Sequence, residues 1–341
     1  MRMPAEWERQ EAIWLAWPHN KNDWPGKFEP IKWVYAEIIK NLVSDVRVRL
    51  IVKNMKALGN ISETLTLAGI DLTKIDFIIA PTNRSWLRDS APTFVYQGKK
   101  RVALDWKFNA WAKYDNWKYD DKIPTLATNF LKIPTVQPLH KNKRVVLEGG
   151  AIEVNGKGTL ITTEECLLDA KTQVRNPGFK AKDYEEIFAK YLGVSNTIWL
   201  EKGIEGDDTH GHIDDLARFV NPTTIVTVTE KDKSQHNHTI LQNNLKRLKA
   251  ARDQNGKQFT IVELPMPRPI IFEDQLLPAS YANFLIANDV VLVPTFNDPN
   301  DRIALNILSE CFPKHDVIGI YSGDFILGLG TIHCASQQEI A

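Results

Sequence analysis

The sequence predicts an α/β protein folded as a five-bladed α/β propeller of pseudo-fivefold ββαβ repeats. Three observations predict it. Hairpin signals recur along the chain, a helix and a further strand follow most of them, and a polar loop precedes each at a near-regular interval.

The hairpins come first. APTFVYQGKKRVALDW is expected to turn at Gln97-Gly98, GAIEVNGKGTLITT at Asn155-Gly156, LARFVNPTTIVTV at Asn221-Pro222 and YANFLIANDVVLVP at Asn288-Asp289. Asn-Gly is among the strongest short hairpin signals. The helices follow. KDYEEIFAKYL precedes the strand NTIWL, and DKSQHNHTILQNNLKRLKAARDQ reads as an exposed helix. DPNDRIALNILSECF opens with Asp298 and Pro299, a capping residue and a first-turn proline. Its Ala304, Leu305, Leu308 and Phe312 share one face.

The polar loops carry Asp89, Glu148, His212 and Cys334, spaced 59, 64 and 122 residues apart. The last gap is about double the others and holds a fourth hairpin, entered near Asp274. The fifth hairpin, in IHCASQQEIA, lacks a partner strand, and EAIWLAWP near the N-terminus supplies one. Pairing the two ends closes a ring and removes exposed sheet edges. The loops of all units then converge on one axial site, and residues 1–341 form a single catalytic domain.

Composition narrows the function. The chain is 43% hydrophobic and 25% charged with zero formal net charge, so general attraction to nucleic acid or membrane is not expected. Three scattered cysteines, Cys166, Cys311 and Cys334, argue against a disulfide framework and a cysteine zinc site, and Cys166 and Cys311 read as inert. The first residues, MRMPAEWERQEAIWLAW, are charged where a signal peptide needs an apolar run. A cytoplasmic protein is expected, and its size is compatible with a homo-oligomer.

The densest chemistry lies in GDDTHGHIDDLARFV, residues 206–220. Read as a strand, it places His212 and Asp214 on one face and Asp215 on the other. Three readings remain open on these residues. His210-Gly211-His212 is an H-x-H pair of the kind metal hydrolases use. The acids could form a solvated loop. Alternatively, Asp89, Glu148 and Asp214 gather from separate units to bind a cation, which offsets their mutual repulsion. Cys334 sits in GLGTIHCASQQ, where Gly328 and Gly330 permit close backbone approach and polar residues follow.

WLRDSAPTFV, LEGGAIEVNGKGTLITTEECLL, DDTHGHIDDLARFV, YANFLIANDVVLVPTF with NDPND, and GTIHCASQQ together resemble the agmatine deiminases of the guanidine-modifying superfamily, from MPAEWE to the end. The resemblance implies a five-bladed α/β propeller. It also implies a cysteine hydrolase that makes N-carbamoylputrescine and ammonia from agmatine, a step toward putrescine. Cys334 would be the nucleophile, His212 the general acid/base, and Glu148 its partner. Asp89 and Asp214 would grip the guanidinium. No cofactor and no metal are implied, and a guanidinium-bearing small molecule is the expected partner. Trp86 would wall the pocket, and Asp207, Asp208 and Glu205 would receive the distal ammonium. His210 departs from the family pattern DTDGH, and LRDSAP from RDTGP. Peptidylarginine or free arginine is the alternative substrate on the same fold.

Overall fold

The computed structural model describes all residues 1–341 as a mixed α/β fold. Five of its sheets obey one rule: two antiparallel strands, then a third parallel to the second. Thr93–Gln97 pairs antiparallel with Lys100–Leu104, which pairs parallel with Thr135–Val136. The same order recurs in Glu153–Val154, Thr159–Thr163 and Asn196–Leu200. It recurs in Ala217–Asn221, Thr224–Thr229 and Thr260–Pro265, and in Leu285–Ile286, Val290–Thr295 and Asp316–Tyr321.

The fifth sheet joins the two ends of the chain, as expected. Ser336–Ile340 runs antiparallel to Gln10–Ala16, which runs parallel to Arg47–Val52. A fourth strand, Ile75–Ile79, extends this sheet.

The middle strands are β-branched and apolar because they are covered on both faces. In Val290–Thr295 every residue but the last is buried. Parallel pairing of the third strand requires a crossover. Asn237–Ala250 makes one of them, burying Leu241, Leu245 and Leu248. Pro299–Cys311 makes another, with Asp298 and Asp301 forming a capping box and Ala304 and Leu308 turned inward. No helix is long and apolar enough to cross a membrane.

Apolar clusters link each sheet to its neighbours. Trp14 and Ile51 pack with Phe94 and Ala103. Val95 and Val102 share a cluster with Val154 and Leu160. Ile198, Phe219, Val226, Phe284 and Val291 share another. Leu285 and Leu292 then return to Ile13, Leu15, Val48 and Leu50.

Several local expectations shift. Gln97 pairs with Lys100, so that hairpin turns at Gly98-Lys99. Asn221 pairs with Thr224, which puts the third turn at Pro222-Thr223. Asp274 tips its own small hairpin, Ile271–Phe272 with Gln275–Leu276, well before the Leu285 strand. His212 and Asp214 do not lie on a strand. Ile213–Asp215 is a 3₁₀ turn, and the strand begins only at Ala217.

Candidate active site

The loops that precede the hairpins meet at a cavity of about 380 Å³ lined by Trp86, Asp89, Trp111, Tyr114, Asp208 and Cys334, among others. Cys334 lies in the short helix Ile332–Ala335, just before the last strand. A Cβ at Gly328 would stand 2.8 Å from the Trp86 ring, so only glycine lets that loop close over the cavity wall. Trp86 itself stacks on Phe325 at 5.8 Å between centroids.

The thiol is held from two sides. Asn283 Nδ2 donates to Cys334 Sγ at 3.0 Å, and Sγ donates to Asp214 Oδ2 at 3.6 Å. Asn283 Oδ1 in turn accepts from Thr331 Oγ1 and from the backbone N–H groups of His333 and Cys334. Burial, then Asp214, Asp215 and Asp89, push the thiol pKa well above its ordinary range. These surroundings favour the neutral thiol over the thiolate. Its alkylation by iodoacetamide, followed on the Cys334 peptide by mass spectrometry, should be slow at pH 7 and still accelerating beyond pH 9. A rate already level at pH 7 would mean the thiolate is preformed.

His212 sits beneath this group, within reach of three carboxylates. Its Nδ1 lies 3.8 Å from Asp89 and 4.0 Å from Asp214, and its Nε2 lies 3.9 Å from Glu148. A Cβ at Gly150 would come within 2.5 Å of Nδ1, which explains the second glycine in LEGG. Burial disfavours the charged ring, but Asp89, Cys166 and Glu148 outweigh it and carry the His212 pKa well up. Burial also raises Glu148, yet Arg175 and His212 hold its carboxyl at about 2. Glu148 Oε2, both ring nitrogens of His212 and Asp214 Oδ1 are buried and make no hydrogen bond within the protein.

Asp89 and Asp214 are oriented from behind. Asp89 Oδ1 accepts from Gly150 N at 3.0 Å and Oδ2 from Trp111 Nε1 at 2.9 Å. Asp89 is raised by burial, with Asp214 and Glu148 adding to the push. Trp111 reaches it from a backbone turn in which Ala110, Trp111 and Ala112 all have left-handed φ, a strained conformation that clusters at functional sites. Asp214 Oδ2 lies 2.6 Å from His333 Nδ1, whose Nε2 lies 2.8 Å from Glu6 Oε2. Burial raises Asp214, and His333 reverses that and lowers it.

Other sequence expectations fare unevenly. Asp208 lines the cavity but is occupied by Lys113 at 2.5 Å and Tyr114 at 2.7 Å. Asp207 is not in the wall. Its oxygens accept from the backbone N–H groups of Thr209, Gly211 and His212 and so shape the loop. Glu205 is exposed and lies outside the cavity. His210 turns away to Asp169 at 2.8 Å, so the H-x-H pair does not converge. The groups that bring three metal-capable atoms within 4.8 Å are Glu148–Cys166–His212 and Asp214–Asp215–Cys334, and His210 belongs to neither. Asp215 does not face away. Its Oδ1 accepts from the same Asn283 amide that meets Cys334. Cys166, read as inert, stands beside His212.

Asn283, Trp111 and Arg175 were given no role from sequence, and Cys166 only that of an inert thiol. Trp111 and Arg175 lie outside the quoted stretches, whereas Asn283 and Cys166 lie within them. His333 and Glu6 sit within quoted stretches, but nothing in the order of residues shows that they touch.

A buried thiol, an imidazole and several carboxylates thus meet on this repeated α/β frame. The chain belongs to the Porphyromonas-type peptidyl-arginine deiminase family, whose model matches residues 2–339. It is 32% identical to the agmatine deiminase of Ectopseudomonas mendocina, covering 99% of this chain and 95% of that one. It is likewise 32% identical to that of Pseudomonas aeruginosa, over 100% and 95%. Among solved structures it resembles a substrate-bound agmatine deiminase of C. jejuni, with TM-score 0.88 and 30% identity over 100% and 96% of the two chains. The agmatine deiminase of Enterococcus faecalis matches with TM-score 0.89 and 29% identity over 99% and 95%.

Proposed function

We propose that this protein is an agmatine deiminase, hydrolysing agmatine to N-carbamoylputrescine and ammonia through a covalent cysteine adduct. One observation carries the reading: Cys334 and Asp89 line one cavity, and directly behind them Asp214, His212 and Glu148 hold buried oxygen and nitrogen atoms that lack partners. A planar guanidinium brings N–H donors on its edges and a positive charge between the carboxylates. The close agmatine deiminase relatives support the same reading.

The chemistry follows from the charges. The arriving cation cancels the field that keeps Cys334 protonated, and the thiol gives up its proton to solvent through the open cavity. Sγ attacks the guanidinium carbon, which the two aspartates hold in line. His212 donates a proton to the departing nitrogen, the C–N bond breaks and ammonia leaves. An S-linked amidinium remains. His212 then takes a proton from water, whose oxygen adds to the same carbon. The C–S bond breaks and the hydroxyl proton of the adduct passes to the departing sulfur, which restores the thiol and leaves a ureido product. Glu148 holds His212 charged for the first half, and Arg175 keeps Glu148 ionised.

The frame is a five-bladed propeller in one domain, residues 1–341. Support comes from five sheets of one pattern and from apolar clusters that lead from each sheet to the next and back to the first. A mechanism that needs a free thiol suits the reducing cytoplasm, and all three cysteines are unpaired.

Arginine is the second reading, because Arg84 in the cavity wall offers a partner for a carboxylate. Its guanidinium is already engaged by Asp23 and Asn116, which favours agmatine. A colorimetric ureido assay over agmatine, arginine, dimethylarginine and an arginyl peptide decides. Agmatine should exceed the others by at least about 100-fold in kcat/KM, the discrimination that an unpaired buried charge imposes. Preferential turnover of arginine would overturn the assignment.

A further inference from the structure

The wall of the cavity holds three acids besides those grouped around Cys334: Asp23, Asp208 and Glu273. Asp208 is satisfied by Lys113 and Tyr114. Glu273 is exposed on the tip of its hairpin and solvated. Asp23 differs from both. It ends the helical turn Lys21–Asp23, and only 2% of its side chain is exposed. Its Oδ1 accepts from Arg84 Nη1 at 2.8 Å and from Asn20 Nδ2 at 3.0 Å. Its Oδ2 is buried and accepts from nothing in the protein.

An orphaned carboxylate oxygen in a binding cavity is costly unless a ligand donates to it. Arg84 is pinned elsewhere and does not turn to fill the role. Its Nη2 donates to Asn116 at 3.3 Å, and its guanidinium lies 4.2 Å over the Tyr114 ring. The site is therefore an oxygen acceptor in a partly aromatic wall, which suits a primary ammonium better than a second guanidinium or a hydroxyl.

Resting on the guanidine-hydrolase reading above, we propose that Asp23 receives the distal ammonium of the substrate and selects guanidines that carry a terminal amine. Asp23 replaces Asp207, Asp208 and Glu205 in that role. Its carboxyl is pushed up to about 6 by burial, against Arg84 and with help from Asp208, as befits a group short of one donor. His210 plays no part, since it faces Asp169 outside the cavity.

The test measures binding rather than turnover. In the Cys334→Ser protein, calorimetry compares agmatine with n-butylguanidine, which has the same guanidinium and no amine. Adding Asp23→Asn should weaken agmatine by about 10- to 100-fold, the usual range for a lost charge-assisted hydrogen bond, and leave n-butylguanidine unchanged. Parallel weakening of both ligands would overturn the proposal and make Asp23 a mere anchor for Arg84. Equal affinity for agmatine with and without the substitution would overturn it as well. Because no chemistry is read, the outcome stands apart from the substrate assay. Failure of agmatine to turn over in the unmodified enzyme would sink the functional reading alone.

Discussion

Replacing Cys334 with serine should lower kcat by on the order of 10⁵- to 10⁶-fold, the scale seen when a nucleophile is removed from a preorganised site. The environment gives the reason. A serine hydroxyl in this position meets the Asn283 amide and the Asp214 carboxylate that now meet Sγ. Neither is a base strong enough to ionise an alcohol, and the carboxylates that already raise the thiol would raise a hydroxyl further. Substrate binding should survive, because Asp89 and Asp214, the residues proposed to hold the guanidinium, are untouched. Rapid quench of the parent enzyme with agmatine, followed by mass spectrometry, should show an amidino group that still carries the aminobutyl chain on the Cys334 peptide. Residual activity near one per cent, or an adduct on Cys166 instead, would move the nucleophile to the other side of His212.

That expectation was within reach of the sequence because Asp89, Glu148, His212 and Cys334 fall in short motifs, one before every hairpin but the fourth. The spacing of Asp89, Glu148 and His212 follows the repeat of the frame, so counting residues locates the cavity. The same logic fails at Asp274, because the fourth unit begins with an extra hairpin that no pattern announces. It fails again at His212 and Asp214. Strand parity put them on one face, and they do approach to 4.0 Å, but a 3₁₀ turn brings them there. The turn also swings Asp215 toward Asn283, where alternation had sent it outward. The supporting layer was hidden for a different reason. Glu6, Arg88, Glu153, Arg218 and His333 form a buried charge network below the site, drawn from segments far apart in the chain. Asp23 was hidden too. Its side chain matters for what it lacks, one donor, and this becomes visible only when every neighbour has a position.

Deleting residues 1–17 should abolish cooperative folding. The segment contributes the strand Gln10–Ala16, which stands between Ser336–Ile340 and Arg47–Val52 and pairs with both. Removing it frees two inner edges rather than one outer edge. Ile13 and Leu15 are fully buried, each a loss of about 1.5–3 kcal/mol. Trp14 is buried as well and donates to Glu339 at 2.9 Å. Glu6 goes with them, and it is the carboxylate that meets Arg218 at 2.8 Å and His333 at 2.8 Å. Leaving the Arg218 guanidinium buried without that partner is destabilising by about 3–5 kcal/mol. These losses compare with a total stability of about 5–15 kcal/mol, so little margin remains. Circular dichroism should show no sharp thermal transition in the truncated chain. Adding a peptide of residues 1–17 in trans should restore one, because the missing strand slots between two edges that already match it. Glu6→Gln alone should fall between the extremes, since Arg218 keeps Glu153 at 2.9 Å. A truncated protein that melts like the parent would show that the ends need not meet, and the closed ring would have to be given up.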